Sequence, residues 1–134
     1  MSTNCIFCKI IRGEIPCEKV YESTRSLAFM DVSPLSLGHI LVIPKTHARF
    51  YHELDADDAA DLAIVVNKIT KVMDSTSYNI LQNNGRQAHQ FVDHVHMHII
   101  PKTDDTGLGI SWTSADISKE QISNLASSLR SKLE

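Results

Sequence analysis

The sequence predicts a single α+β domain, an antiparallel sheet of about five strands with a long central helix and short helices near both ends. Strand-like segments follow one another around short turns rather than alternating strictly with helices, which favours an antiparallel sheet with helices on one face. From Asp55 to Asp74, apolar residues recur with the helical period. Near the last third, His94, His96 and His98 occupy alternate positions in an apolar run. That is the period of a strand with three imidazoles on one face and Val95, Met97 and Ile99 on the other.

The elements follow in order. Cys5–Arg12 spaces Ile6, Phe7, Ile10 and Ile11 as a short amphipathic helix, which Gly13 can end. Residues 18–22 and 27–31 read as strands around the turn at 23–26. Residues 39–43 form a short apolar strand that Pro44 stops. Asp55 is placed to cap the long helix, with Asp57 and Asp58 in its positive first turn. Its expected buried face is Leu62, Val65, Val66, Ile69, Val72 and Met73. Residues 78–82 are a strand running into the turn Asn83-Asn84-Gly85. The triad strand is expected near 92–100, ended by Pro101, with a loop over 102–118. Ser118 and Gln121 resemble a capping box that opens a last helix near 118–133.

A chain of 134 residues suits one domain over 1–134. Its net charge of −3, with no basic cluster, gives no general attraction to nucleic acid. No apolar run approaches membrane-spanning length and no secretory leader is recognisable, so no membrane partner is expected. Three cysteines, two of them spaced Cys5-x-x-Cys8, favour a reducing compartment and a metal or redox role over a disulfide framework. The expected location is the cytosol, with access to the nucleus.

Three like-facing imidazoles are costly on an ordinary core face, because buried polar groups need partners. They suit acid, base, nucleophilic or metal chemistry. A neutral histidine whose Nδ1–H is tied to a carbonyl presents a free Nε2, a good nucleophile toward phosphorus, and neighbouring rings can donate to the phosphoryl oxygens. His96, in the middle, is best placed to be held from both sides. The plainer alternative is that one or two of these rings only satisfy core hydrogen bonds.

The run His94-Val95-His96-Met97-His98-Ile99-Ile100 resembles the signature of the histidine triad superfamily, in which histidines alternate with apolar residues. Four further blocks, in the same order, are similar to its Hint branch: Cys5–Ile11, Phe29–Pro34, Gly38–His47 and Asn83–Gly85. Together they extend the resemblance over most of residues 4–101. The resemblance implies the superfamily's fold and a nucleotide hydrolase that cleaves the P–N bond of adenosine 5'-monophosphoramidates. His96 would attack the α-phosphorus to form a covalent AMP–histidine, with His98 positioning the phosphate. His94 and His39 would steady the imidazoles or the leaving group. Asp31 would hold the ribose hydroxyls, with an ordinary turn-capping role as its rival. Val32, Phe29, Ile6, Phe7 and Ile10 would wall a purine slot, with core packing as the alternative for Phe29, Ile10 and Val32. Asn83 and Gln90 would donate to the phosphate or hold the triad loop, and His89 or a backbone N–H would take the phosphate contact of the family's hydroxyl. One departure stands out: where much of the branch carries Gly-Gln-Ser or Gly-Gln-Thr, this chain has His89-Gln90-Phe91, so the hydroxyl expected on the phosphate is missing at Phe91.

The same resemblance implies a structural Zn²⁺ bound by Cys5, Cys8, His47 and His94, a tetrahedral N/S set. Its alternative is a pair of reduced cysteines packed as small hydrophobes. Cys17 is expected to be structural and His52 to lie on the surface. The resemblance also implies a homodimer built on the long helix and edge strands. Trp112 would then reach the partner's site or pack locally. The competing functional classes are a dinucleoside polyphosphate hydrolase, a hydrolase whose catalytic Zn²⁺ is held by the three histidines, and a nucleotide-binding interaction protein.

Overall fold

The computed structural model describes residues 4–134. Five strands form one antiparallel sheet: β1 (Lys19–Glu22), β2 (Ser26–Met30), β3 (Ile40–Pro44), β4 (Tyr78–Gln82) and β5 (Met97–Pro101), in the order β1-β2-β3-β5-β4. The helices are α1 (Ile6–Ile11), α2 (Ala56–Val72) and α3 (Lys119–Leu133). The predicted strands and helices are all present, most with ends displaced by a residue or two. No helix among the described residues is long and apolar enough to cross a membrane.

The sheet is covered on both faces rather than one. Ala28, Ile40, Val42, Val95 and Ile99 pack against Leu62, Val65, Val66 and Ile69 of α2. Leu27, Phe29, Leu41 and Ile43, which alternate with them along the strands, pack instead with Phe7 of α1. Burying each of the four α2 side chains contributes about 1.5–3 kcal/mol, which accounts for the helix better than local propensity does. Asp55 caps α2 as expected, accepting from the Asp58 backbone N–H at 2.8 Å. Val72, expected on the buried face, is 81 % exposed at the last residue of α2, while Ile69 before it and Met73 after it pack on the core.

The main correction concerns the triad segment. Only Met97–Pro101 is strand; residues 92–96 lie outside it. The β3–β5 ladder stops at the pair Val42–Met97. Beyond it, the imidazole of His94 occupies the carbonyl of Pro44, and the imidazole of His96 turns back onto the carbonyl of His94. Side chains thus take acceptors near the strand end, leaving Val95 to bond the Ala48 carbonyl at 2.7 Å. The alternation of faces survives: Val95 and Ile99 are buried with α2, and Met97 packs beside them.

The terminal helix α3 has its capping box, Ser118 with Gln121, but every one of its residues is exposed. Its apolar stripe, Ile122, Leu125 and Leu129, joins neither buried core among the described residues.

Candidate active site and metal centre

Three main-chain groups decide where the protons of the site's histidines sit. His94 Nε2–H donates to the Pro44 carbonyl at 2.8 Å, so its Nδ1 carries a lone pair. His96 Nδ1–H donates to the His94 carbonyl at 2.7 Å, so its Nε2 is the unprotonated nitrogen. The N–H of Leu35 donates to His39 Nδ1 at 3.1 Å, which leaves the proton of His39 on Nε2. His39 Nε2–H then donates to His98 Nδ1 at 2.9 Å, so a neutral His98 holds its own proton on Nε2.

Burial reinforces the neutral forms. His94, His96 and His39 are buried. Desolvation pushes the pKa of His94 down to about 4, with the nearby His47 and His96 adding to it against the Pro44 hydrogen bond. Burial, then the like charge of His96 and His39, pushes His98 down to about 4. Burial also lowers His96 and His39. The neighbouring rings are close, His96 to His98 with centroids 4.9 Å apart. A lone-pair nitrogen and an N–H donor therefore stand side by side at neutral pH, the pairing that attack on a phosphorus ester or amide requires.

Both His96 and His98 open onto a cavity of about 540 Å³, large enough for a nucleotide. One end is walled by Ile6, Phe7, Ile10, Phe29 and Val32. Phe7 meets Phe29 edge-on at 5.8 Å and His96 at 5.2 Å, so α1 lies directly over the triad. Phe29 is both core and wall; Val32, 93 % exposed, is rim rather than core. Asp31 makes the turn-capping contact and also lines the cavity. Its Oδ1 accepts from the Ser33 N–H at 2.8 Å, and its Oδ2 lies 3.5 Å from His39 Nε2 at the cavity wall.

Three predicted contacts divide. Gln90 does not line the cavity; its buried amide accepts from the Gly85 N–H and donates to the Arg49 carbonyl, both at 2.7 Å. With both ends spent on backbone, it holds the loop rather than a ligand. Asn83 lines the cavity while its Nδ2 donates to the His89 carbonyl at 3.2 Å. His89 lines the cavity too, as does Phe91. Leu35, Leu81 and Leu108 line it as well. Sequence reasoning missed these because they are brought together only by the β4–β5 pairing and the following loop. The decisive Leu35 N–H leaves no mark in residue type at all.

On the other side of α1, Cys5, Cys8, His47 and His94 converge. His94 Nδ1 lies 3.3 Å from Cys5 Sγ, 3.6 Å from Cys8 Sγ and 3.2 Å from His47 Nδ1, and Cys8 Sγ lies 3.3 Å from His47 Nδ1. A tetrahedral Zn²⁺ with ordinary bond lengths sets its ligands about 3.3–3.8 Å apart. The lone pair on His94 Nδ1 is aimed into this cluster, and the donor chemistry is that of a structural zinc site. The three triad histidines, by contrast, do not converge on one ion, since their nitrogens take separate partners. Asp31, His39 and His98 are close enough to hold a metal, with ligand atoms within 4.8 Å. However, His39 Nδ1 already accepts the Leu35 N–H, so its Nε2 keeps a proton and the group works as a hydrogen-bond chain.

His52 is exposed, stacked on Phe50 at 5.4 Å. Cys17 packs beside the α1-side core. Trp112 is 81 % exposed, so it does not pack locally.

A mononucleotide-sized cavity with paired, tautomer-fixed imidazoles at its centre defines a nucleotide-handling site of the histidine triad type, and the HIT domain pattern matches residues 12–105. The chain belongs to the HIT domain family. It is 54 % identical to the adenosine 5'-monophosphoramidase hnt1 of Schizosaccharomyces pombe, over 97 % of this chain and 98 % of the relative. Among solved structures, a hypothetical protein from Leishmania major superposes with a TM-score of 0.93 at 49 % identity, covering 99 % of this chain and 98 % of the other. The histidine triad nucleotide-binding protein from Candida albicans superposes at 0.88 with 43 % identity and 97 % coverage of each chain.

Proposed function

We propose that this chain hydrolyses adenosine 5'-monophosphoramidates to AMP and an amine through a covalent AMP–His96. The observation that carries the reading is the pairing of an unprotonated His96 Nε2 with a His98 Nε2–H on one cavity wall. The name of the Schizosaccharomyces pombe relative supports the substrate class. The purine lies between Phe29 and the α1 residues Ile6, Phe7 and Ile10, with the ribose hydroxyls donating to Asp31. His96 Nε2 attacks the α-phosphorus while His98 donates to a phosphoryl oxygen. The P–N bond breaks, the amine leaves with a proton, and water then displaces AMP from His96. The second displacement restores the imidazole, so one hard step becomes two easier ones.

Cys5, Cys8, His47 and His94 would hold Zn²⁺, which would cross-link α1 to the triad segment. Thiolate ligands need reduced cysteines, which suits the cytosol or nucleus. The apolar stripe of α3, Trp112, and the exposed Ile64 on α2 and Ile80 on edge strand β4 support a homodimer, whose solution mass would be twice the 15.0 kDa chain.

The test is trapping. Brief reaction with an AMP phosphoramidate followed by acid-free denaturation gives an AMP-shifted mass on the peptide carrying His96, absent in His96→Ala together with turnover. Undiminished turnover in His96→Ala overturns the assignment.

A further inference from the structure

An amine is a poor leaving group until it takes a proton, and the groups assigned so far do not provide one. His96 Nε2 is the nucleophile and must arrive unprotonated, His98 faces the phosphoryl oxygens, and His39, also on the cavity wall, spends its Nε2–H on His98. The other imidazole on that wall is His89.

Its backbone is unusual. His89 is the one non-glycine residue among those described with a positive φ, at φ 72 and ψ 28. A side chain there costs free energy that glycine avoids, so its presence at a cavity wall calls for a reason. The surroundings hold the conformation firmly. His89 N–H donates to the Arg86 carbonyl at 3.0 Å, Asn83 Nδ2 donates to the His89 carbonyl, and the next residue, Gln90, is buried with its amide clamped between Gly85 and Arg49. The ring itself is braced edge-on against Phe91, centroids 4.5 Å apart, and the Arg86 guanidinium lies 5.9 Å from the Phe91 ring. The loop thus spends strain, a buried amide and an aromatic brace on fixing one imidazole on the wall of the cavity that His96 and His98 also line.

We propose that His89 is the general acid for the leaving amine, with Phe91 its positioning residue. The proposal rests on the phosphoramidase reading above. As His96 Nε2 bonds to phosphorus, the P–N electron pair goes to the departing nitrogen, which takes the proton from protonated His89. Water then displaces AMP from His96 as the new P–O bond forms and the P–Nε2 bond breaks, and the proton it releases passes to solvent, from which His89 is reprotonated. Each turnover consumes one water and returns His89 to its starting form.

The experiment compares the native protein with His89→Gly and His89→Asn on two adenylate substrates. One releases a basic alkylamine; the other, an AMP p-nitrophenyl ester, releases a stable anion that needs no proton. Both replacements tolerate a left-handed backbone, so folding is retained and the two variants should match. The expected result is a loss of about 10²-fold or more in kcat on the alkylamine substrate, with the ester changed only a few-fold. Phe91→Ala should lose part of the same activity with the same selectivity. Equal losses on both substrates, or full alkylamine activity in either variant, overturn the role of His89. Absence of any AMP–His96 adduct in the native protein overturns instead the reading beneath it.

Discussion

The Nδ1–H of His96 donates to the carbonyl of His94, two residues back, at 2.7 Å. The residue that turns its own ring toward Cys5, Cys8 and His47 therefore also orients His96 through its backbone. The Cys5, Cys8, His47 and His94 cluster and the His96 imidazole are joined through one residue, with Phe7 packed against the His94 and His96 rings at 5.8 Å and 5.2 Å.

Zinc should therefore be felt as stability first. The native protein is expected to bind one Zn²⁺ per chain. At free zinc about 100-fold above Kd the gain is about 2.7 kcal/mol, or about 10 °C in Tm for a chain of this size. Chelation should reverse it, and Cys8→Ser should show neither the stoichiometry nor the shift. Atomic absorption paired with thermal melts checks this; a Tm indifferent to zinc would remove the cross-link from the account.

His39 should matter through the proton of His98 rather than by touching substrate. Its Nε2–H is the donor that leaves His98 Nδ1 unprotonated. His39→Ala is expected to lower kcat by about 10²-fold, the scale for losing one oriented donor. His39→Asn, whose amide can still donate, should recover part of it. Imidazole ¹⁵N shifts report the tautomer directly: His98 should be protonated at Nε2 in the native protein and mixed in His39→Ala. An unchanged tautomer would refute the chain of donors.

Stability should fall on the acid side of neutrality. Burial, then the charges of His96 and His39, hold the pKa of His98 at about 4 in the fold, whereas an unfolded imidazole titrates near 6.5. Between those values the unfolded chain binds more protons. The contribution is full above about pH 6.5 and is lost as pH falls through about 4. Urea midpoints measured from pH 7 to pH 4 should decline, and less steeply in His98→Gln. Parallel slopes for the two proteins would show that His98 is not a source.

Much of this was legible in the residues. Alternation set Val95 and Ile99 on the face opposite the histidines, where they are buried against α2, and the Cys5-x-x-Cys8 spacing pointed to a metal or redox role, while the family resemblance supplied the set with His47 and His94 that lies together in space. The strand limit at 92 was misjudged because period two continues past the point where the ladder ends: His94 and His96 keep the alternation while their rings take main-chain acceptors. Gln90 read as a ligand contact because an amide before the triad is polar and near. Only the fold shows that both its ends are spent on Gly85 and Arg49. Val72 followed the helical period but is the last residue of α2 and stays exposed, although Met73 beside it packs on the core.

The protons of His94, His96 and His39 are set by the Pro44 carbonyl, the His94 carbonyl and the Leu35 amide. Such atoms belong to the chain whatever side chain it bears there, so drift at these positions leaves the tautomers largely untouched, proline at 35 excepted because it would delete the donor. What the arrangement does not tolerate is a change in chain path. A single inserted or deleted residue between Ser33 and Gly38 would carry the Leu35 N–H away from His39. Across evolutionary time this short loop should therefore hold its length more tightly than its composition.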